Sequence, residues 1–114
     1  MTDAVKVHVS GDVSYSALTD TEYMALFMRK AKEIKAATGQ KNARHGMTPQ
    51  ALAFVRIVES TFTDILKNYD SIPFDYACEL MRDIAAPLGV SVREIESIMG
   101  IDLATGRPLL TSGN

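Results

Sequence analysis

The side chains that most often perform nucleophilic or metal chemistry are sparse in this chain. Its 114 residues include one cysteine, Cys78, and two histidines, His8 and His45. Neither histidine has a second ligand-type residue at i, i+4 spacing, so no metal site is predicted. Cys78 lies next to a predicted apolar helix face, which is typical of an inert, buried thiol. Because paired catalytic carboxylates and glycine-rich phosphate loops are also absent, we expect no enzymatic activity and no cofactor.

Positive charge is concentrated in the segment 29–44. This segment holds six basic residues and one acid, a net charge of +5 in a chain whose total is −2, so the remainder carries −7. The six basic residues are Arg29, Lys30, Lys32, Lys35, Lys41 and Arg44. Lysine and arginine neutralise phosphates, and the sequence therefore predicts that this segment contacts a nucleic-acid backbone. The alternative is that it pairs with the acidic part of a second copy.

Acidic residues form a second charged stretch, partly at helical spacing: Asp70, Asp75, Glu79 and Asp83. A solvated helix face is the ordinary interpretation of such a run, and a surface for a basic partner is the sharper one. The stretch therefore supports a second function class. In that class the chain is a non-enzymatic protein–protein interaction module, such as an adaptor, an assembly factor or an inhibitor.

A short β element is predicted at the N-terminus, within residues 1–18. Apolar β-branched and polar residues alternate over 5–9, which is the period-two pattern of a strand with one buried face. Residues 13–15 are compatible with a returning second strand, which would make a hairpin.

Two long helices are predicted to form a scaffold over residues 19–68. The Thr-x-x-Glu capping box that starts at Thr19 predicts a helix over about 20–38, ended by Gly39. Thr48 followed by Pro49 predicts the start of a second helix that continues to about residue 68.

The C-terminal half is predicted to contain two more helices with a turn between them. A third helix starts at about Phe74 and is stopped or kinked by Pro87, which has no N–H to donate. A second capping box at Ser91-Val92-Arg93-Glu94 opens a fourth helix, which Gly100 ends. Residues 101–114 then form an extended tail. The fold class is therefore mainly α, with about four helices behind a short N-terminal β-strand or hairpin.

Residues 81–100, within a predicted two-helix unit at 74–100, resemble the bihelical core of the helix-turn-helix superfamily. In that core a small residue allows close packing, a glycine makes the turn, a small polar residue caps the second helix, and branched apolar residues lock the pair. The residues that match these roles in order and spacing are Ile84, Ala85, Leu88, Gly89, Val90, Ser91, Ile95 and Ile98.

The resemblance implies a small DNA-binding regulator of transcription that binds double-stranded DNA as a homodimer. Ser91, Arg93 and Ser97 would contact bases or backbone from the second helix, and the six basic residues of 29–44 would contact phosphates. Glu94 and Glu96 oppose this, because acids on that helix repel the DNA backbone. Binding therefore depends on whether the segment 29–44 lies beside the second helix.

A ribbon-helix-helix dimer is a further alternative, because a strand followed by two helices is its element order. Lys6 and His8 would then enter the major groove from the strand. The link over 40–46 is longer than the tight turn of those domains, which argues against this alternative.

The composition, 46% hydrophobic and 23% charged residues, is that of one globular domain over 1–114. No apolar run reaches the roughly 18 residues of a membrane span. The first residues lack the features of a signal peptide, and a lone cysteine suits a reducing compartment. We therefore expect a cytoplasmic protein without membrane contact.

Overall fold

The computed structural model describes residues 1–109, which form a mainly helical protein. The helices are α1 (Thr2–His8), α2 (Tyr15–Phe27), α3 (Ala31–Thr38), α4 (Pro49–Leu66) and α5 (Phe74–Met99), with a 3-10 turn at Ala43–Gly46. Two-residue strands, β1 (Val9–Ser10) and β2 (Ile72–Pro73), pair in parallel with Val9 opposite Ile72. The mainly α class is confirmed, with five α-helices where about four were predicted and a two-strand parallel sheet as the β element.

Buried apolar side chains from all five helices meet in one core. They include Val5, Leu18, Leu26, Ile34, Val55, Phe62, Met81 and Val92. The most extensive helix–helix contact joins α2 to α5, and α4 packs on α5 as well. Within the described residues, no helix is both long and apolar enough to cross a membrane.

The N-terminal strand predicted over 5–9 is wrong for most of its length. Val5 and Val9 are both buried, whereas Val7 between them is 68% exposed. Val5 is buried within α1, and Val9 follows the helix as the first residue of β1, so a helix that ends at His8 buries both valines and leaves Val7 exposed. The hairpin is also wrong, because β1 pairs with the distant β2. The ribbon-helix-helix alternative is lost with it, since Lys6 and His8 lie on α1.

The single helix predicted over about 20–38 is two helices. Ser14 caps α2, five residues before the predicted start, by accepting from the N–H of Ala17 at 3.2 Å. Met28 ends α2 in the left-handed conformation, with φ of 58°. Methionine rarely adopts that conformation, so the sequence carried no signal for the break. The predicted end of the second half, Gly39, is confirmed as the C-cap of α3.

The predicted turn between a third and a fourth helix is wrong, because α5 continues from Phe74 to Met99. Pro87 lies on the exposed side of α5, where water can reach the Asp83 carbonyl that the proline cannot pair. Gly89 is buried and helical. A Cβ at Gly89 would lie 2.1 Å from the carbonyl oxygen of Ala25, so glycine is needed there for the close approach of α2 to α5.

Residues 101–109 fold back onto the helices, so the predicted extended tail is wrong in this part. Leu103 and Ala104 are fully buried, and Ile101 forms an antiparallel bridge with Pro108. Asp102 anchors the loop by accepting from Arg29 Nε at 2.9 Å and from the N–H of Thr105 at 3.1 Å. Residues 110–114 of the predicted tail lie outside the described residues.

Candidate functional site

A hollow of about 480 Å³ lies between the N-terminal half of α2, helix α3 and the turn at Ala43–Gly46. We call it the basic groove. Four of the six basic residues predicted as phosphate contacts line it: Lys32, Lys35, Lys41 and Arg44. The same walls carry two tyrosines, Tyr15 and Tyr23, together with polar side chains of α2. Sequence reasoning assembled the cations but missed both tyrosines.

Two hydrogen bonds and one close backbone approach hold the three walls of the basic groove in place. The Asp20 carboxylate on α2 accepts from the N–H of Ala31 at 3.0 Å, which ties α2 to the start of α3. Asn42 Oδ1 accepts from the N–H of Arg44 at 2.9 Å and so caps the 3-10 turn. Gly46 lets that turn approach α3, because a Cβ there would lie 2.5 Å from the Thr38 side chain.

The charge balance of the basic groove favours an anion. Four cationic side chains line it against one carboxylate, Asp20, whose Oδ1 is already engaged by a backbone N–H. Lys32, Lys35 and Lys41 are exposed, so their ammonium groups keep the freedom to reach a ligand. Clefts lined by one sign of charge attract the opposite charge from solution.

Arg44 differs from the three lysines because it is also part of the fold. Its Nη2 forms an ion pair with Glu59 Oε2 on α4, and its Nε donates to the Tyr23 hydroxyl at 3.2 Å. The Glu59 side chain is only 15% exposed. Arg44 therefore neutralises a mostly buried carboxylate on one side while it faces the basic groove on the other.

Glu22 lies behind this cluster and is completely buried. As a carboxylate it would have no hydrogen-bond donor within reach of either oxygen. Burial raises the pKa of Glu22, and the hydrogen bond and repulsion from Glu59 raise it further, against a smaller opposing effect of Arg44. These effects together favour the neutral acid form of Glu22 at pH 7, with the Glu59 carboxylate as the acceptor for its proton. The predicted capping role of Glu22 at the start of a helix is wrong.

The other two predicted phosphate contacts lie outside the basic groove. Arg29 pairs with Asp102, with Nη2 2.8 Å from Oδ2, and so holds the C-terminal loop. Lys30 lies just before α3, where its backbone N–H donates to Glu33 at 3.0 Å. Its side chain borders a separate hollow that also includes Met24 and Arg82. Of the six basic residues in the segment 29–44, Arg29 and Lys30 therefore lie outside the basic groove, and the other four line it.

The residues predicted to contact bases lie on α5, away from the basic groove. Ser91 is half-buried inside the continuous helix and caps nothing, while Arg93 and Ser97 are exposed. Ala25 of α2 touches α5, whereas Tyr23 faces the groove. Positions that are two apart in sequence, such as Tyr23 and Ala25, point about 200° apart around a helix. The groove and α5 therefore lie on opposite sides of α2. The four groove cations and the predicted second helix are not brought together, whereas Arg29 pairs with Asp102 and lies near enough to Glu96 of α5 to oppose the rise that burial causes in the pKa of that carboxyl.

The two acids that opposed DNA binding have different positions. Glu96 is half-buried and its Oε2 accepts from the N–H of Leu103 at 2.9 Å, so it anchors the C-terminal loop. Burial raises the pKa of Glu96, and the bond from Leu103 opposes this. Glu94 is exposed on α5.

The acidic stretch is exposed, as a binding surface or a solvated face requires. Asp75, Glu79 and Asp83 follow one another at four-residue spacing along α5. Tyr76 lies beside them and forms an edge-to-face pair with Tyr69, with 6.2 Å between the ring centres. This surface is on a different element from the basic groove.

The histidines and the cysteine are separate from one another. His8 Nδ1 lies 2.7 Å from the carbonyl oxygen of Tyr69, His45 is exposed in the 3-10 turn, and Cys78 is half-buried on α5. Over residues 1–109, no group of three histidine, cysteine, aspartate or glutamate side chains is arranged to hold a metal ion. Burial raises the pKa of the Cys78 thiol, which keeps it protonated.

No protein-family model matches the chain, and comparisons with curated proteins and with solved structures give no match.

Proposed function

We propose that this chain is a small DNA-binding protein that holds phosphates in the basic groove. The observation that carries the proposal is that four cations line one hollow. Lys32 and Lys35 come from α3, and Lys41 and Arg44 come from the segment that follows it. Phosphate neutralisation supplies most sequence-independent affinity for nucleic acids. The groove replaces the helix-turn-helix unit as the proposed contact surface, because the turn of that unit is absent from α5.

Salt dependence tests this proposal directly. In this proposal the three exposed lysines bind phosphates. Arg44 is not counted, because Glu59 already neutralises its charge. Displacing counterions from three phosphates lowers affinity by about 20- to 40-fold between about 50 and 200 mM salt. Fluorescence anisotropy with labelled DNA of random sequence measures this. No binding at low salt would end the proposal.

Charge reversal identifies the surface that binds. The double variant Lys32→Glu and Lys35→Glu should lose binding to every DNA sequence, because both changes place an acid in the groove. The matched control reverses Lys6 and Lys67, which are exposed outside the groove, and so makes the same change in net charge. Equal losses in the two double variants would point to a general charge effect and contradict a dedicated groove.

A second candidate function is protein binding through the acidic face of α5. The specific observation is the exposed, evenly spaced set Asp75, Glu79 and Asp83 beside an exposed aromatic residue, Tyr76. Such a face complements a basic partner, including the basic groove of a second copy in a homodimer. Sedimentation equilibrium at low and high salt tests the homodimer, which should dissociate as salt rises. If a protein that is captured on the wild-type chain is still captured after Asp75, Glu79 and Asp83 are all replaced by lysine, this candidate is contradicted.

A further inference from the structure

The basic groove combines a concave shape with an aromatic side chain, which is more specific than positive charge alone. Tyr15 is the first residue of α2 and is 37% exposed at the groove, whereas Tyr23 is buried and its hydroxyl is held by Arg44. Tyr15 therefore offers ring surface to a ligand, while Tyr23 is part of the wall. The three lysines lie on the opposing elements of the same hollow.

We propose that the basic groove binds single-stranded nucleic acid, with an unpaired base stacked on Tyr15 and the adjoining phosphates on Lys32, Lys35 and Lys41. This inference rests on the proposed function and deepens it. Proteins that bind single strands combine a positively charged groove with aromatic side chains on which bases stack. Every base has an aromatic face, so this mode needs no particular sequence.

The shape of the site favours a single strand over a duplex. In a duplex the bases are stacked and paired, and a protein reaches their edges with a helix or ribbon that enters the major groove. Here the cations line a hollow of about 480 Å³, which is the size range of sites that enclose small ligands. An unpaired nucleotide can enter such a hollow with its base free to stack.

The side chain of Asn42 adds a hydrogen-bonding group to the lining of the groove. Asn42 Oδ1 is occupied by the N–H of Arg44, which orients the side-chain amide and leaves its NH2 group to donate. Both Asn42 and Lys41 line the groove from the segment before the 3-10 turn. A base carbonyl or a phosphate oxygen is the complementary acceptor.

Anisotropy with two labelled probes tests the inference, a 12-nucleotide oligo-dT and a 12-base-pair duplex of mixed sequence. We expect the single strand to bind at least about fivefold tighter, because only its bases are free to stack. A duplex that binds equally well or better would overturn this inference while leaving DNA binding in place. No binding of either probe would overturn the inference and the proposed function together.

Substitution of Tyr15 isolates the stacking contact. Tyr15→Ala should weaken oligo-dT binding by about 5- to 100-fold, and Tyr15→Phe should preserve it, since stacking requires the ring and not the hydroxyl. Tyr69→Ala is the matched control, because Tyr69 has similar exposure but does not line the groove. Equal affinities for Tyr15→Ala and Tyr15→Phe would contradict the inference.

A fluorescence measurement keeps the test independent of stability changes. The chain contains no tryptophan, so Tyr15→Trp introduces a single reporter at the groove. Stacking of a base on that indole should quench its emission as unlabelled oligo-dT is added, whereas Tyr69→Trp should remain unquenched. Binding without quenching at position 15 would show that the strand contacts the lysines alone and would refute the stacking proposal.

Discussion

Replacement of Glu22 by glutamine should stabilise the protein at neutral pH, which is unusual for a polar change in a core. Glu22 is completely buried, and its pKa is raised to about 10, first by burial and then by its contact with Glu59. The folded protein therefore holds the Glu22 proton at a pH where the unfolded chain has released it. Glutamine supplies an N–H donor toward Glu59 in place of the acid O–H, and this amide does not titrate.

The sign and the size of the effect follow from this difference. The ordinary pKa of the glutamate is 4.5, and the folded-state value lies far above it. Because the folded state binds the extra proton, the wild-type free energy of unfolding falls as pH rises above 4.5, at about 1.4 kcal/mol per pH unit. Over the two units from about pH 5 to about pH 7 the loss is roughly 3 kcal/mol, which Glu22→Gln avoids.

Urea unfolding followed by circular dichroism at several pH values between about 5 and 9 measures this. The stability of Glu22→Gln relative to wild type should increase steadily with pH across that window. Glu94→Gln is the control, because it removes an exposed carboxyl from α5 and should leave the pH dependence unchanged. A stability difference between Glu22→Gln and wild type that stays constant with pH would show that Glu22 is ionised in the fold, and the reasoning would fail.

Three further substitutions test the packing and the site. Gly89→Ala places a Cβ against the Ala25 carbonyl, so it should lower the free energy of unfolding by about 1–3 kcal/mol, although alanine ordinarily favours a helix. Increased stability in urea would contradict that packing. Asp102→Ala leaves Arg29 without its partner and should cost about 1–3 kcal/mol in the same assay; an unchanged midpoint would count against the anchoring of the loop. Arg93→Ala should leave DNA affinity within about twofold in an anisotropy titration, because α2 separates it from the groove, and a tenfold loss would return the contact surface to α5.

Local signals in the sequence predicted some elements well. Thr48 and Pro49 begin α4, where the Thr48 hydroxyl accepts from the N–H of Ala51 at 3.2 Å, and the amphipathic stripe behind them is the buried face. Gly100 ends α5 in the left-handed conformation, as predicted. In each case a cap and a periodic apolar face agree, so the local and the tertiary preferences coincide.

The continuous helix α5 could not be distinguished from two helices by such signals. Proline, glycine and a small polar residue in close succession are ordinary turn chemistry, and each has a different role here. Pro87 is tolerated because its side of α5 is exposed, and Gly89 is required because Ala25 packs against it. Both reasons depend on which side of α5 the rest of the chain covers, so only the folded chain reveals them.

The candidate site was predictable in charge but not in shape. Clustering of the basic residues was visible in the sequence. The break at Met28, which lets α3 turn away from α2, was not visible, because no glycine marks it. Glu22 and Glu59 are 37 positions apart, and the capping box that contains Glu22 predicted a different role for it. Their pairing depends on how α2 packs against α4, which a local pattern does not encode.

The four cations of the basic groove have two different roles, which affects how substitutions of these residues are interpreted. The lysines are exposed and their removal takes away only binding charge. Arg44 also neutralises Glu59, next to the buried acid Glu22, so its removal leaves a mostly buried carboxylate without a cation. Loss of DNA binding after a change at Arg44 is consequently ambiguous between binding and folding. Substitution of a groove lysine, compared with substitution of a lysine outside the groove, separates an effect on binding from an effect on folding.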